Sequence, residues 1–570
     1  MRNLKKIVLI GFILINLNAV EFNLKNISID EISSSKQWRQ LLYFNKESEI
    51  KDKKYFLSEI GNLDPKAELL ATINAYKEEN SDNDPVCLFP ARYYFLSKYI
   101  SFPKYKKIND GCTNLKKWQP IKNTDNISLV LVSGYISNPA STFGHSLIKL
   151  NNKESGLFDT SINYGALIPE NENTLTYIYK GLTGGYEAGF SDKYFYEQDL
   201  MYSNKEYRDM WEYKLNLTSE QKDLMLLHLY EILTRKFDYY FLSRNCGYRV
   251  SEILNLVSNE KSINQDLWYL PVETFDFLET KEKELIKSIK YIPSNKKVFN
   301  SYFEKLTEKE KLGVKEFIRN NTLLELNEEE KIHILDFLLI YYKNTLNIYP
   351  EKKEIRYILR KVILERLKLK PSEKQDIEIE ERISPAKNTN PIDLKIGYGY
   401  KSTIVSLSPY KQNFLDKTNI GYDELTFFNT MIGIKDKLYL KHLDFIKIQK
   451  VNSEKTELLN DNLYSWKINL GVEQSTYYAT SGVGYFIDQI NMLGMIDLEV
   501  NSKEEINLVP HVNFYNQFFD LKNQIEIGYK DKSYVIEEIQ YNISNKKNIG
   551  LKLEYSEKEY NNLVYLKINF

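Results

Sequence analysis

IGLKLEYSEKEYNNLVYLKINF, residues 549–570, alternates apolar and polar side chains with a period of two. Ile549, Leu551, Leu553 and Tyr555 fall on one side of an extended chain, with Gly550, Lys552 and Glu554 on the other. Trp466, Ile468, Leu470 and Val472 alternate in the same way with Lys467, Asn469 and Gly471, and the pattern returns at Leu394–Tyr400, Ile525–Tyr529 and Val564–Phe570. Polar turns divide the region into about twelve strands, and an even number of antiparallel strands suits a closed barrel. Half-buried strands of a soluble sandwich alternate too, so the sandwich is the competing reading.

Two features favour a barrel in a membrane. The chain holds 44 Tyr and 28 Phe, amphipathic rings that suit strands and membrane interfaces. Val564, Leu566, Ile568 and the carboxyl-terminal Phe570 also resemble the terminal strand of bacterial outer-membrane barrels.

Working back from the barrel, the polar stretch between Pro371 and Pro391 marks its boundary. A chain of 570 residues exceeds one core and should divide. The expected division is a signal peptide at 1–19, a helical module at 20–125, a Cys–His domain at 126–262, a helical region at 263–385 and the barrel at 386–570. The fold class is therefore multidomain α+β with a C-terminal antiparallel barrel. Residues 1–19 show the three parts of an export signal: basic Arg2, Lys5 and Lys6, an apolar run from Ile7 to Ile15, and small Ala19. That run is shorter than the ~20 residues of a spanning helix, as is the apolar stretch from Ile332 to Tyr342.

Export implies an oxidising compartment, and the chain has three cysteines. Cys87 and Cys112 bound one short segment, and a disulfide between them would contribute about 3 kcal/mol by restricting the unfolded chain. Cys246 is then the free thiol. It lies in FDYYFLSRNCGYRVSEILNL, where Ser243, Arg244 and Asn245 precede a helical run, so the sulfur falls near a helix N-terminus that favours thiolate. Among five histidines, His228 and His333 lie in helical patterns, and His442 and His511 in the β region, where lumen lining or a polar contact is the natural role. His145 differs. In SNPASTFGHSLIKL, Pro139 and Gly144 mark a turn that feeds a strand and could hold an imidazole at its end. An inert buried thiol beside an unrelated histidine is the plain alternative.

PASTFGHSLIKL (139–150), SINYGA (161–166), YKGLTGGYEAGFS (179–191), YRDMWEYKLNLT (207–218) and FDYYFLSRNCGY (237–248), in that order, resemble the Lnb N-terminal periplasmic domain family. The resemblance runs from about Leu129 to Leu256. Upstream, QWRQLLYF, DPKAELLATINAY and CLFPARYYFL are similar to the helical module that precedes this domain in Gram-negative relatives. It implies a circularly permuted papain-like fold, with Cys246 as nucleophile, His145 as base, and a polar residue on the next strand to orient the imidazole. Asn163 is the choice for that third role and Asp159 the second.

The family's characterised reaction moves an acyl group within a lipoprotein through a thiol. The resemblance thus implies a periplasmic and outer-membrane thiol acyltransferase or acyl-ester hydrolase, whose partners are outer-membrane lipid and a lipid or lipoprotein substrate. The alternatives are an NlpC-type cell-wall amidase or peptidase acting on peptidoglycan, and a barrel channel or assembly factor with a periplasmic binding module. Lys and Arg total 77 against 78 Asp and Glu, which gives no reason to expect nucleic acid. No HExxH, GxSxG or GxxxxGK[ST] motif occurs, so no metal or cofactor is expected.

Overall fold

The computed structural model describes residues 27–570 except 77–83, 103–111, 135–141, 155, 261–267, 324, 372–378, 418–420, 457, 459–462 and 558. The expected export signal lies outside the described residues. The chain forms two compact units, one holding Ser219–Phe237 with the chain up to Lys122, the other Asn123–Thr218 with Asp238–Phe570.

Short helices build the first unit, among them Lys36–Leu41, Pro65–Ala75 and Pro90–Leu96. Trp38, Leu41, Leu69, Ile73 and Phe95 fill its core. Arg92 is fully buried there, bonded to Glu68 Oε1 at 2.6 Å and to the Tyr55 carbonyl at 2.7 Å. A buried charge is tolerated when it is paired and hydrogen-bonded, as this guanidinium is through its two terminal nitrogens. The helix Ser219–Ile232, which lies within the stretch 126–262 of the Cys–His domain, packs in this unit. Its Glu231 explains why: the helix Pro90–Leu96 has no side-chain cap of its own, and Glu231 accepts the amides of Ala91 and Arg92 at 2.6 and 3.2 Å. A local hydrophobic pattern cannot reveal a cap delivered from so far along the chain.

Cys87 and Cys112 are disulfide-bonded and Cys246 is free and buried. Thiol titration of the denatured, unreduced protein is expected to give one reactive group per chain; finding three would refute the pairing.

The second unit opens with a sheet of β1 (Thr124–Val132), β2 (His145–Asn152), β3 (Thr160–Ala166), β4 (Tyr186–Tyr194), β5 (Met210–Leu215), β6 (Lys236–Tyr239) and β7 (Ile286–Ile292), in the order β6-β4-β3-β2-β1-β5-β7. The sequence marked β1, β2 and β3, and it read the segment from about 265 to 375 as helical. β7 corrects that reading. It pairs with β5 and extends the sheet beyond residue 262, because IKSIKYI carries β-branched residues within a highly charged stretch whose composition resembles the helices around it. Those helices, Asn295–Lys305, Glu308–Asn320, Glu328–Ile348 and Lys353–Leu367, pack around Phe303, Phe317, Ile334, Phe337 and Leu338. Among the described residues no helix is long and apolar enough to cross a membrane, which says nothing of strands.

From Asp393 the chain forms a closed antiparallel barrel of twelve strands. The last, Glu559–Asn569, pairs with the first, Asp393–Gly399, while Ser402–Ser408 pairs with both the first and with Glu424–Ile434. A thirteenth, short strand, Tyr410–Gln412, pairs with Glu424–Ile434 beside this ring. The wall is apolar outside and polar inside. On the last strand Val564 and Leu566 are 56% and 43% exposed, whereas Lys567 and Asn569 are buried in the lumen. Likewise Ile496 and Leu498 face out while Asp497 turns in to meet Lys467 and His511. A soluble sandwich buries its apolar face; this wall exposes it, as outer-membrane barrels do. Asn413–Asp416 lies across one end of the lumen. Phe414 and Asp416 carbonyls accept from Lys522 Nζ at 3.0 and 2.6 Å, and the Leu415 carbonyl accepts from Gln540 and Asn542.

Candidate active site

β1 and β2 pair so that Val132 stands opposite His145 at the first residue of β2. Gly144, with φ of 93°, makes the turn into the strand; a Cβ there would approach the Val132 carbonyl to 3.0 Å. The imidazole is thus held at the end of a central strand. Facing it, Cys246 is the first residue of the helix Cys246–Leu254, which packs on β2 and β3. Asn245 caps that helix: its Oδ1 accepts from the Tyr248 amide, and its Nδ2 donates to the Phe241 and Tyr269 carbonyls.

Burial pushes the Cys246 thiol up, and His145 opposes this through its charge and side-chain hydrogen bonding. With the Ser146 amide, it lowers the thiol to about 7. Two residues separated by about a hundred positions in sequence are therefore brought together, the imidazole beside the thiol.

Asn163 stands near the pair without bonding the imidazole. Lys149 of β2 pairs with Ser161 of β3, and alternation puts His145 and Asn163 on that same face. Asn163 Nδ2 donates to Ser161 Oγ at 3.1 Å, while Asn163 Oδ1 and His145 Nε2 are both buried with no hydrogen-bond partner. Asp159 is committed elsewhere. It pairs with Lys149 at 3.1 Å and accepts the Asn152 amide at 2.7 Å, seven residues along β2 from His145 and so about 23 Å away.

Tyr202 and Tyr239 flank the thiol and were not singled out by sequence. The Tyr202 ring lies 5.7 Å from the His145 ring, under the guanidinium of Arg208 at 5.0 Å. Burial, with the nearby Cys246 charge adding to it, holds both phenols above their usual range, so they stay protonated donors at neutral pH. The only signal for Tyr202 is its place in the π-helical turn Leu200–Lys205, visible in coordinates alone. The other histidines have structural partners: His228 stacks on Tyr43, His333 meets Glu310, and His442 and His511 meet lumen aspartates. Among the described residues no cluster of His, Cys, Asp and Glu could hold a metal ion.

Residues 114–281 match the Lnb N-terminal periplasmic domain, and residues 30–99 match a domain of unknown function, DUF7843. No curated protein matches the chain significantly. Two solved structures are similar over the barrel, a KdgM porin in complex with disordered oligogalacturonate and a KdgM porin, at 10% and 9% identity. Each alignment covers 31% of this chain and 98% of the porin, with TM-scores of 0.23 and 0.22. This envelope protein, which ends in an outer-membrane-like barrel, carries an Lnb N-terminal periplasmic domain over residues 114–281, with His145 and Cys246 both inside it.

Proposed function

We propose that this chain is a thiol acyltransferase or acyl-ester hydrolase of the cell envelope, exported by residues 1–19 and held in the outer membrane by its barrel. The observation that carries the reading is the Cys246 thiol, lowered to about 7 by His145 at a helix N-terminus. The thiolate attacks an ester carbonyl, forming a C–S bond; as the C–O bond breaks, the alcohol leaves with a proton from His145. An amine or water, deprotonated by His145, then attacks the thioester and returns the thiolate. Tyr202 and Tyr239, neutral and beside the sulfur, are placed to donate hydrogen bonds to the oxyanion of each step. Asn163 is a positioning residue: its unpartnered Oδ1 and the unpartnered His145 Nε2 belong to side chains on the same face of the sheet, and a hydrogen bond between them would orient the imidazole.

The apolar outer face of the barrel supports a lipid ester over a peptidoglycan amide, because it sets the domain beside acyl chains. The test is mass spectrometry of the full chain in vesicles of bacterial phospholipid and lipoprotein. Quenching in acid should trap one acyl group on the peptide containing Cys246, labile to hydroxylamine. An unmodified Cys246 together with cleavage of muropeptides would overturn the reading in favour of the amidase.

A further inference from the structure

A catalytic imidazole is ordinarily oriented by a hydrogen bond from a third residue. Here His145 Nε2 is buried with no hydrogen-bond partner, and Asn163 gives its amide nitrogen to Ser161 instead. The place of the ring therefore depends on the backbone that carries it, the turn at 142–144.

That turn is gripped on two sides. On the sheet side its backbone lies directly against the continuation of β1, where a Cβ on Gly134 would come within 2.5 Å of the Thr142 carbonyl. On the other side Phe143 reaches the barrel. Its ring centroid lies 4.7 Å from that of Tyr410 and 5.6 Å from that of Phe427, with 73° and 47° between the planes. Tyr410 and Phe427 stand opposite one another on paired strands, their rings 6.1 Å apart. Each of the three pairs falls within the ~4.5–7 Å at which aromatic edges and faces attract, so the ring of Phe143 has a defined seat. The seat is rooted in the lumen. Tyr410–Gln412 runs straight into the segment Asn413–Asp416, whose carbonyls are held by Lys522, Gln540 and Asn542 and whose Asp416 carboxylate is held by Lys567. Between Phe143 and His145 stands only Gly144, at φ of 93°, the residue about which an unseated turn would pivot.

Resting on the proposed role of His145 as base, and not on the identity of the substrate, we propose that Phe143 is a positioning residue: seated on Tyr410 and Phe427, it makes the barrel the element that holds the imidazole beside the Cys246 sulfur. The barrel is then a working part of the site as well as its anchor. Loss of the seat leaves the groups that face the sulfur, His145, Ser146, Tyr202 and Tyr239, chemically intact. It alters only the distance and angle of the imidazole, and so weakens the hold of His145 on the thiol while burial of the sulfur persists.

The test is the pH dependence of Cys246 alkylation by iodoacetamide, measured on the full chain in lipid vesicles. Phe143→Ala and, from the barrel side, Tyr410→Ala should each raise the midpoint by about half a pH unit or more, short of the rise in His145→Ala. The conservative Tyr410→Phe, which keeps the ring, should restore the wild-type midpoint. Altered access of the reagent changes the plateau rate and leaves the midpoint alone, and heat-modifiable migration on gels confirms a folded barrel in each variant. A merely structural loosening would shift the midpoint whether or not the imidazole is present. The deciding comparison is therefore made in His145→Ala, where adding Phe143→Ala should move the midpoint no further. An unmoved midpoint in both Phe143→Ala and Tyr410→Ala, or an equal rise with and without His145, would overturn the proposal. The readings fail separately: a midpoint indifferent to His145→Ala refutes the Cys–His pair itself, whereas sensitivity to His145→Ala with indifference to Phe143→Ala and Tyr410→Ala refutes only the positioning.

Discussion

Cys246→Ser and His145→Ala are each expected to reduce acyl-enzyme formation by about a thousandfold or more, with fold and membrane location retained. At a pKa of about 7 half of the Cys246 population is thiolate at neutral pH. A serine hydroxyl in the same place stays protonated, and oxygen lacks the polarizability that makes sulfur attack readily. Loss of His145 acts through the same group. The imidazole opposes a burial penalty that by itself raises the thiol, so His145→Ala moves the pKa up and leaves the sulfur neutral at pH 7. Alkylation of wild-type Cys246 by iodoacetamide should therefore rise with pH around a midpoint near 7, and the midpoint should move to higher pH in His145→Ala. An unmoved midpoint would show that His145 does not govern the thiol. Asn163→Ala should lower turnover less and leave this midpoint nearly in place, because it loosens the imidazole without removing it.

The barrel was legible in the sequence because its signal is repeated: each strand writes the same period of two, and a twelvefold repetition survives local noise. Cys246 and His145 were legible for another reason. A helix start after SRN and a glycine turn before a strand are local features, so each residue's placement could be read before the two were known to meet. What stayed hidden depends on distant contacts. Asn163 and Asp159 could not be ranked by periodicity, and only the Lys149 and Asn152 contacts of Asp159 remove it from the site. β7 was masked by the charge of its neighbours, and the helix Ser219–Ile232 by a capping role 140 residues away from Ala91.

A barrel that conducts would point to a channel in place of an enzyme, and here the expected result is a closed pore. Eight strands are filled by their own side chains and sixteen to eighteen leave an aqueous channel; twelve fall between, so sealing requires an inserted element. Asn413–Asp416 supplies it. Its three consecutive carbonyls, from Phe414 to Asp416, are held by Lys522, Gln540 and Asn542, and Lys567 binds the Asp416 carboxylate at 2.6 Å. Phe414 adds an apolar seal against Phe486, Leu493, Met495 and Tyr515. These anchors come from different strands around the wall, so thermal motion of any one strand does not free the segment. In planar bilayers the wild-type protein should show no steady ion current. Replacing Phe414, Leu415 and Asp416 with glycine together with Lys522→Ala removes both the apolar seal and a main anchor, and should produce discrete conducting events. The lumen ion pairs Lys395–Glu538 and Lys467–Asp497 remain in that variant, so heat-modifiable migration of the barrel on gels should persist and separate an opened pore from an unfolded one. A large steady conductance in the wild-type protein would refute the plug.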